Sequence, residues 1–104
     1  MRIEDRGRLQ VIKIEVEVAF SFKRELDEGY RALELPEGSD VETAIREWTR
    51  LHPLARDRLF DEGGAIRRHI NALINGGNVT LREGFRTVLK DGDRLTILPP
   101  AGGG

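Results

Sequence analysis

The side chains that could perform catalysis or bind a metal are few and scattered along this chain. His52 and His69 could form an acid–base or metal-binding pair, but neither has a suitably spaced carboxylate partner. The sequence contains no cysteine, which excludes disulfides, thiolate nucleophiles and cysteine-ligated metals. No nucleophile lies at a recognisable spacing from a base. We therefore predict no catalytic residues, no metal site and a chain that is not an enzyme by itself.

Two pairs of acidic residues also have structural explanations. Glu15 and Glu17 repeat with the period of a strand, which predicts a solvated strand face rather than a catalytic pair. Asp91 and Asp93 flank Gly92, and the chemistry of a tight turn explains this arrangement better than cation binding. Neither pair changes the prediction of a non-catalytic chain.

Composition narrows the class of protein. The chain has 104 residues, the size of one domain, and its 17 basic and 18 acidic residues give a net charge of −1. That balance argues against a general nucleic-acid binder, which depends on excess Lys and Arg. Arg67 and Arg68 form a small basic cluster that fits either a partner contact or ordinary surface. No apolar run approaches the roughly 20 residues that cross a bilayer, and we predict a cytoplasmic protein.

Hydrophobic periodicity predicts the first half of the fold. Alternating apolar residues predict a strand over residues 12–20 and a second over residues 30–35, which pair antiparallel across a loop. Ser39 and Glu42 have the spacing of a capping box at the start of a helix, and Pro53 ends that helix. One apolar face of the helix is formed by Val41, Ala44, Ile45, Trp48 and Leu51.

The second half of the sequence predicts shorter helices, strands and turns. They are a helical turn within residues 54–60, a strand over 70–74, a turn over 75–78, a short strand over 79–81, a turn over 90–93 and a last strand over 95–98. One helix laid across one face of a mixed sheet of four to five strands gives a two-layer α+β fold. With the first and last strands side by side, this is the β-grasp.

The C-terminal third carries a recognisable combination of motifs. It contains Ile74-Asn-Gly-Gly-Asn-Val79, then Lys90-Asp-Gly-Asp-Arg-Leu-Thr-Ile-Leu-Pro-Pro100, and three closing glycines. Together with the helix entry at residues 35–41, these resemble the MoaD/ThiS-type proteins over residues 10–104. That family comprises ubiquitin-like β-grasp sulfur carriers and their prokaryotic protein-modifier relatives. This chain ends in three glycines where the family usually has two, and its segment 54–69 is longer than in the shortest members.

The resemblance implies a function centred on Gly104. An E1-like enzyme of the MoeB/ThiF type would adenylate its carboxylate with ATP, and sulfur would then replace AMP to give a thiocarboxylate. An acceptor such as a molybdopterin synthase large subunit would take the sulfur, so molybdopterin synthesis is the pathway most commonly implied. The chain itself would bind no cofactor. The alternatives are a ubiquitin-like modifier joined through Gly104 to target lysines, and a non-covalent β-grasp interaction module.

The C-terminal residues suit delivery of a carboxylate into a partner's active site. Pro99 and Pro100 have no backbone N–H to donate to a neighbouring strand, so they should release the tail from the sheet. Gly102 and Gly103 have no Cβ and can pass through a narrow channel. The six residues after the last strand span about 20 Å when extended. We therefore divide the chain into a flexible extension (residues 1–8), a β-grasp domain (9–98) and a flexible tail (99–104).

Strand parity predicts an apolar patch beside this tail. If Leu95 and Ile97 face the core, Leu98 faces outward, and by the same reasoning Leu73 lies outward from its own strand. Leu98 and Leu73 are therefore our candidate docking residues, and the resemblance implies such a patch near the tail.

Overall fold

The computed structural model describes residues 10–19 and 31–98 of the chain. The predicted N-terminal extension, the predicted strand end at Phe20 and strand start at Tyr30, and the tail 99–104 lie outside the described residues.

The first two strands form the antiparallel pair that the alternating pattern predicts. β1 (Val11–Val18) pairs with β2 (Arg31–Pro36), with Ile14 opposite Leu33. In β1 every second side chain is buried, so the apolar set faces the core and the charged set faces outward.

The longest helix of the described residues has its N-cap one residue later than predicted. α1 spans Val41–Leu51, and the side chain of Asp40 accepts a hydrogen bond from the Thr43 N–H at 2.9 Å. The capping box predicted from Ser39 and Glu42 is therefore wrong. The Ser39 hydroxyl instead donates to the carbonyl of Pro36 at 2.7 Å, which closes the turn after β2.

The buried face of α1 is close to the predicted one. Val41, Ala44, Ile45 and Trp48 are buried, but Leu51 is 49% exposed, so its assignment to the core face was wrong. Leu51 lies at the margin of the apolar face in the last helical turn. On the opposite margin Thr49 is buried, and burial of its hydroxyl is compensated by donation to the Arg46 carbonyl at 2.9 Å.

Short elements follow the helix. A 3₁₀ helix at Pro53–Ala55 continues into α2 (Arg56–Leu59), which confirms the predicted helical turn. β3 (Asn71–Ile74) pairs with β4 (Gly77–Asn78) across the predicted turn. A further 3₁₀ helix occupies Gly84–Arg86, and β5 (Arg94–Leu98) completes the sheet.

The predicted short strand over residues 79–81 is wrong. Val79–Leu81 is a 3₁₀ helix, and the strand lies just before it in β4. The side chain of Asn78 accepts a hydrogen bond from the Thr80 N–H at 2.8 Å. This local hydrogen bond favours a helical turn over an extended backbone at Val79–Leu81.

The sheet has five strands in the order β2-β1-β5-β3-β4. β1 and β5 are parallel and adjacent at its centre, and β5 and β3 are antiparallel. The core lies between α1 and one face of this sheet, and it includes Ile14, Ile45 and Leu95. The architecture is the ubiquitin-like β-grasp predicted from the order of elements.

Candidate functional site

The central strand of the sheet leads directly into the C-terminal tail. Leu98 is the last residue of β5, and β5 is hydrogen-bonded on both sides, to β1 and to β3. A tail that follows such a strand starts from a fixed point. The predicted activation residue Gly104, with Gly102, Gly103, Pro99 and Pro100, lies outside the described residues.

The outward face of the sheet carries the two predicted docking leucines. Leu98 is opposite Asn71, and Leu73 is opposite Thr96. Leu73 and Leu98 are therefore diagonal neighbours on one face, a relationship that places Cα atoms about 7–8 Å apart. Both leucine side chains are half-buried. Ala72, which precedes Leu73 in β3, is fully buried on the opposite face of the sheet. The structure thus brings the two residues together at the end of the sheet where β5 ends.

Polar residues surround this leucine pair. Across β1, Glu17 is opposite Thr96, and across β4, Asn78 is opposite Leu73. One row further from the tail, the Arg94 guanidinium donates to Glu15 at 2.8 Å. A small apolar area with a polar margin is typical of a protein contact surface. Glu15 is exposed and Glu17 half-buried on the outward face of β1, which agrees with the solvated strand face that their period predicted.

The turn before β5 fixes the start of that strand. The Lys13 N–H donates to the Asp91 carboxylate at 2.8 Å, and the Gly92 N–H donates to the Lys13 carbonyl at 2.9 Å. Gly92 has a φ of +90°, a conformation that favours glycine. The aspartates therefore act through turn and strand hydrogen bonds, in agreement with their sequence-based interpretation.

The segment preceding β3 lies beside the point where the tail begins. Because Asn71 pairs with Leu98, the exposed Arg68 and His69 precede β3 at that same end of the sheet. His69 has a φ of +69°, which is unusual for a residue with a side chain. Arg67 is anchored, since its Nε donates to the Asp57 carbonyl at 2.8 Å. The sequence already showed the pair Arg67 and Arg68, but its position at the end of the sheet where β5 ends follows only from the strand register.

The two histidines belong to different surroundings. His52 stacks on Trp48, with ring centroids 4.3 Å apart, whereas His69 is exposed before β3. Trp48 is buried as predicted, and its indole N–H has no acceptor among the described residues. Within residues 10–19 and 31–98, no group of three or more His, Asp or Glu side chains could hold a metal ion. No helix in that part of the chain is long and apolar enough to cross a membrane.

The fold and the strand that leads into the glycine tail define a class of small β-grasp proteins. Residues 20–104 match the ThiS family, and the chain belongs to that family. This agrees with the resemblance carried by the turn, strand and tail motifs.

Two of the similar proteins are named as small archaeal modifier proteins. The chain is 42% identical over 43 residues to small archaeal modifier protein 3 of Haloferax volcanii, a match that covers 41% of this chain and 47% of that protein. The chain thus spans about half the length of this relative. The solution structure of small archaeal modifier protein 1 from Methanosarcina acetivorans has a TM-score of 0.76 and 28% identity, over 91% of this chain and 99% of that one.

A third relative comes from a complex. One chain of the Amycolatopsis orientalis BexX/CysO complex superimposes with a TM-score of 0.62 and 31% identity. The match covers 88% of this chain and 99% of that chain.

Proposed function

We propose that this protein is a sulfur carrier whose Gly104 is activated by an E1-like enzyme. The carboxylate attacks the α-phosphate of ATP, pyrophosphate leaves, and an acyl adenylate forms. Hydrosulfide then attacks the acyl carbon and displaces AMP, which leaves a thiocarboxylate for an acceptor enzyme in cofactor biosynthesis. The observation that carries this proposal is the central strand β5, which ends at Leu98 and is followed by six residues that end in three glycines.

The partner enzymes supply the catalysis in this scheme. A free carboxylate is a poor electrophile, so the activating enzyme must provide ATP and the groups that stabilise the developing charge. The carrier contributes a carboxylate on an extended chain and a surface that positions it. We assign that surface to Leu98 and Leu73, and their burial against the partner would offset part of the entropy lost when the tail is ordered, about 1–2 kcal/mol per residue.

The acceptor and the compartment are parts of the same proposal. We assign the acceptor to an enzyme such as a molybdopterin synthase large subunit, which would take the sulfur from the thiocarboxylate. We place the reaction in the cytoplasm, where ATP is available to the activating enzyme. The carrier itself holds no cofactor in this scheme, because ATP binds to its partner.

The test is alkylation of an ATP-dependent product. The protein is incubated with an E1-like enzyme, ATP and sulfide, then treated with iodoacetamide and analysed by intact mass spectrometry. Replacing oxygen by sulfur adds nearly the same mass as oxidation of Met1, so the unalkylated mass is ambiguous. A chain without cysteine should react rapidly only at a C-terminal thiocarboxylate.

The matched control is the chain that lacks Gly103 and Gly104, which should give no adduct. An ATP-dependent adduct on the full chain supports the sulfur carrier. If several E1-like enzymes give neither adenylate nor adduct, the proposal is wrong and a non-covalent interaction module takes its place. That module predicts that the deletion leaves every partner bound as before.

A second function, protein modification, is favoured by the 42% identity to a relative named as a modifier protein. In that case a lysine amine of a target protein attacks the Gly104 adenylate, AMP leaves and an isopeptide bond forms. Arg94 is the last basic residue, so trypsin would leave residues 95–104 as a ten-residue branch on the modified lysine. Proteomics of the native host should search for this branch, and its absence under every growth condition would exclude the modifier function.

A further inference from the structure

A groove with a volume of about 390 Å³ lies in the helical layer, between α1 and the short helices that follow it. Three arginines line it, Arg46, Arg50 and Arg56, together with Pro53 and Phe60. No carboxylate belongs to the described residues that form its wall. Because α1 covers the face of the sheet opposite to the leucine pair, a molecule in this groove need not compete with a partner at the tail.

Arg46 is held in a fixed position at the groove. Its Nε and Nη2 donate to one carboxylate oxygen of Glu42, at 3.0 and 2.9 Å. Its guanidinium carbon lies 4.9 Å from the centre of the Phe60 ring, within the range of a cation–π contact. Three of its five N–H donors are not used by these bonds. Arg46 can therefore donate hydrogen bonds to a further anion without changing its conformation.

Arg50 has a similar arrangement one helical turn later. Its Nε and Nη2 donate to the two oxygens of Glu47 at 3.1 and 2.6 Å, and three donors again remain. For Arg56 the side chain has no hydrogen bond or ion pair within residues 10–19 and 31–98. The groove thus presents two oriented guanidinium groups and a third, that of Arg56, which forms no ion pair with the described residues. Arg56 and Phe60 also line an adjoining groove, whose wall contains Asp57, Asp61 and Glu62.

The chemistry of the groove is both cationic and apolar. Pro53 and Phe60 supply the apolar part of the groove wall. Leu54, which follows Pro53 in the chain, is 74% exposed. Glu42 and Glu47 offset the charges of Arg46 and Arg50, and the whole chain has a net charge of −1. Long-range attraction of a polyanion is therefore weak, and recognition depends on short-range hydrogen bonds to guanidinium groups.

From these contacts we infer that the groove binds an acidic segment of a partner protein. Asp or Glu carboxylates of that segment bond the free N–H groups of the three arginines, and an apolar side chain between them packs against Pro53 and Leu54. This contact is independent of the chemistry at Gly104, so either proposal can fail without the other.

The test is an NMR titration of the ¹⁵N-labelled full chain with a synthetic peptide of alternating glutamate and leucine. Saturable shifts should be confined to the amides of the groove, such as Thr49, Arg50 and Gly64. The same peptide with glutamine in place of glutamate should give no saturable shifts. Arg56→Gln should weaken binding at least about fivefold, since it removes charge-assisted hydrogen bonds.

Arg86→Gln is the matched control, because Arg86 is exposed on a different 3₁₀ turn. It should leave the affinity for the peptide unchanged. The inference is overturned if millimolar peptide gives no saturable shift, or if both variants weaken binding equally. Inorganic phosphate that produces the same shifts at the same concentration would identify a small-anion site instead, and an oligonucleotide that binds more tightly than the peptide would identify a nucleic-acid site.

Discussion

The side chains of Asn75 and Asp93 join two turns that are 18 residues apart in the sequence. The Asn75 amide donates to Asp93 Oδ1 at 2.9 Å, while Asp93 Oδ2 accepts the Lys90 N–H at 2.8 Å. The other end of the Asn75 amide accepts the Arg94 N–H at 2.9 Å. The turn after β3 and the turn before β5 therefore form one hydrogen-bonded unit. This unit fixes the start of the strand whose other end leads into the tail.

We expect Asp93→Ala to lower the free energy of unfolding by about 1–2 kcal/mol, because two hydrogen bonds to the carboxylate are lost. Asn75→Ala should have a similar effect, and the double variant should cost less than the sum of the two. Urea denaturation followed by circular dichroism measures all three. The control is Glu62→Ala at an exposed loop position. Strict additivity of the two substitutions would contradict the proposed pairing.

The docking role of the leucine pair predicts the effect of a charge on the outward face. Leu98→Glu should raise the Kd for the activating enzyme about tenfold or more, because it places a carboxylate in an apolar contact. Isothermal titration calorimetry measures the affinity, and circular dichroism should show an unchanged fold. Leu81→Glu is the matched control, since Leu81 is 83% exposed on a 3₁₀ turn. Equal affinity of the Leu98→Glu chain and the unmodified chain would remove Leu98 from the interface.

The pair formed by Glu47 and Arg50 predicts a small acid-dependent effect. The hydrogen bond from Arg50 lowers the pKa of the Glu47 carboxyl below its ordinary value. A lowered pKa in the folded state means that the pair stabilises the fold above the pKa of the unfolded chain. That stabilisation is lost as the pH falls through the folded-state pKa. Because the pair is exposed, its contribution is small.

NMR titration of the Glu47 side chain measures this directly. The Glu47 pKa should lie below that of an unpaired glutamate, and Arg50→Ala should return it to the ordinary range. Arg86→Ala, at a distant exposed arginine, should leave the Glu47 titration unchanged. A pKa of Glu47 that is insensitive to Arg50→Ala would show that the ion pair does not persist in solution.

The fold was predictable wherever side-chain periodicity reports burial. The alternation in β1 and the outward position of Leu98 follow from the two-residue period of a strand, and the structure has both. Local competition for hydrogen bonds was not predictable. Ser39 could cap the helix or close the preceding turn, and only the geometry after β2 decides that it bonds the Pro36 carbonyl. The 3₁₀ turn begun by Asn78 is a second case.

Contacts between residues that are distant in the sequence were the other feature that could not be predicted. Nothing in the spacing of Arg46, Arg50 and Arg56 in the sequence places Phe60 against the helix. The contact between Arg46 and the Phe60 ring depends on how the segment after α1 folds back. In the same way, the position of Arg68 at the end of the sheet where β5 ends follows from the pairing of Asn71 with Leu98.

The left-handed backbone at His69 gives a prediction about the segment that precedes β3. A φ of +69° brings Cβ close to the backbone, a strain that glycine lacks and that a β-branched side chain increases. His69→Val should therefore lower the free energy of unfolding by about 1–2 kcal/mol. His69→Gly should leave the free energy of unfolding unchanged or raise it by up to about 1 kcal/mol, because relief of strain equals or exceeds the effect of the added freedom of the unfolded chain. Urea denaturation measures both, with the exposed Arg68→Val as control. If His69→Val and His69→Gly have equal stability, His69 does not hold a positive φ in solution.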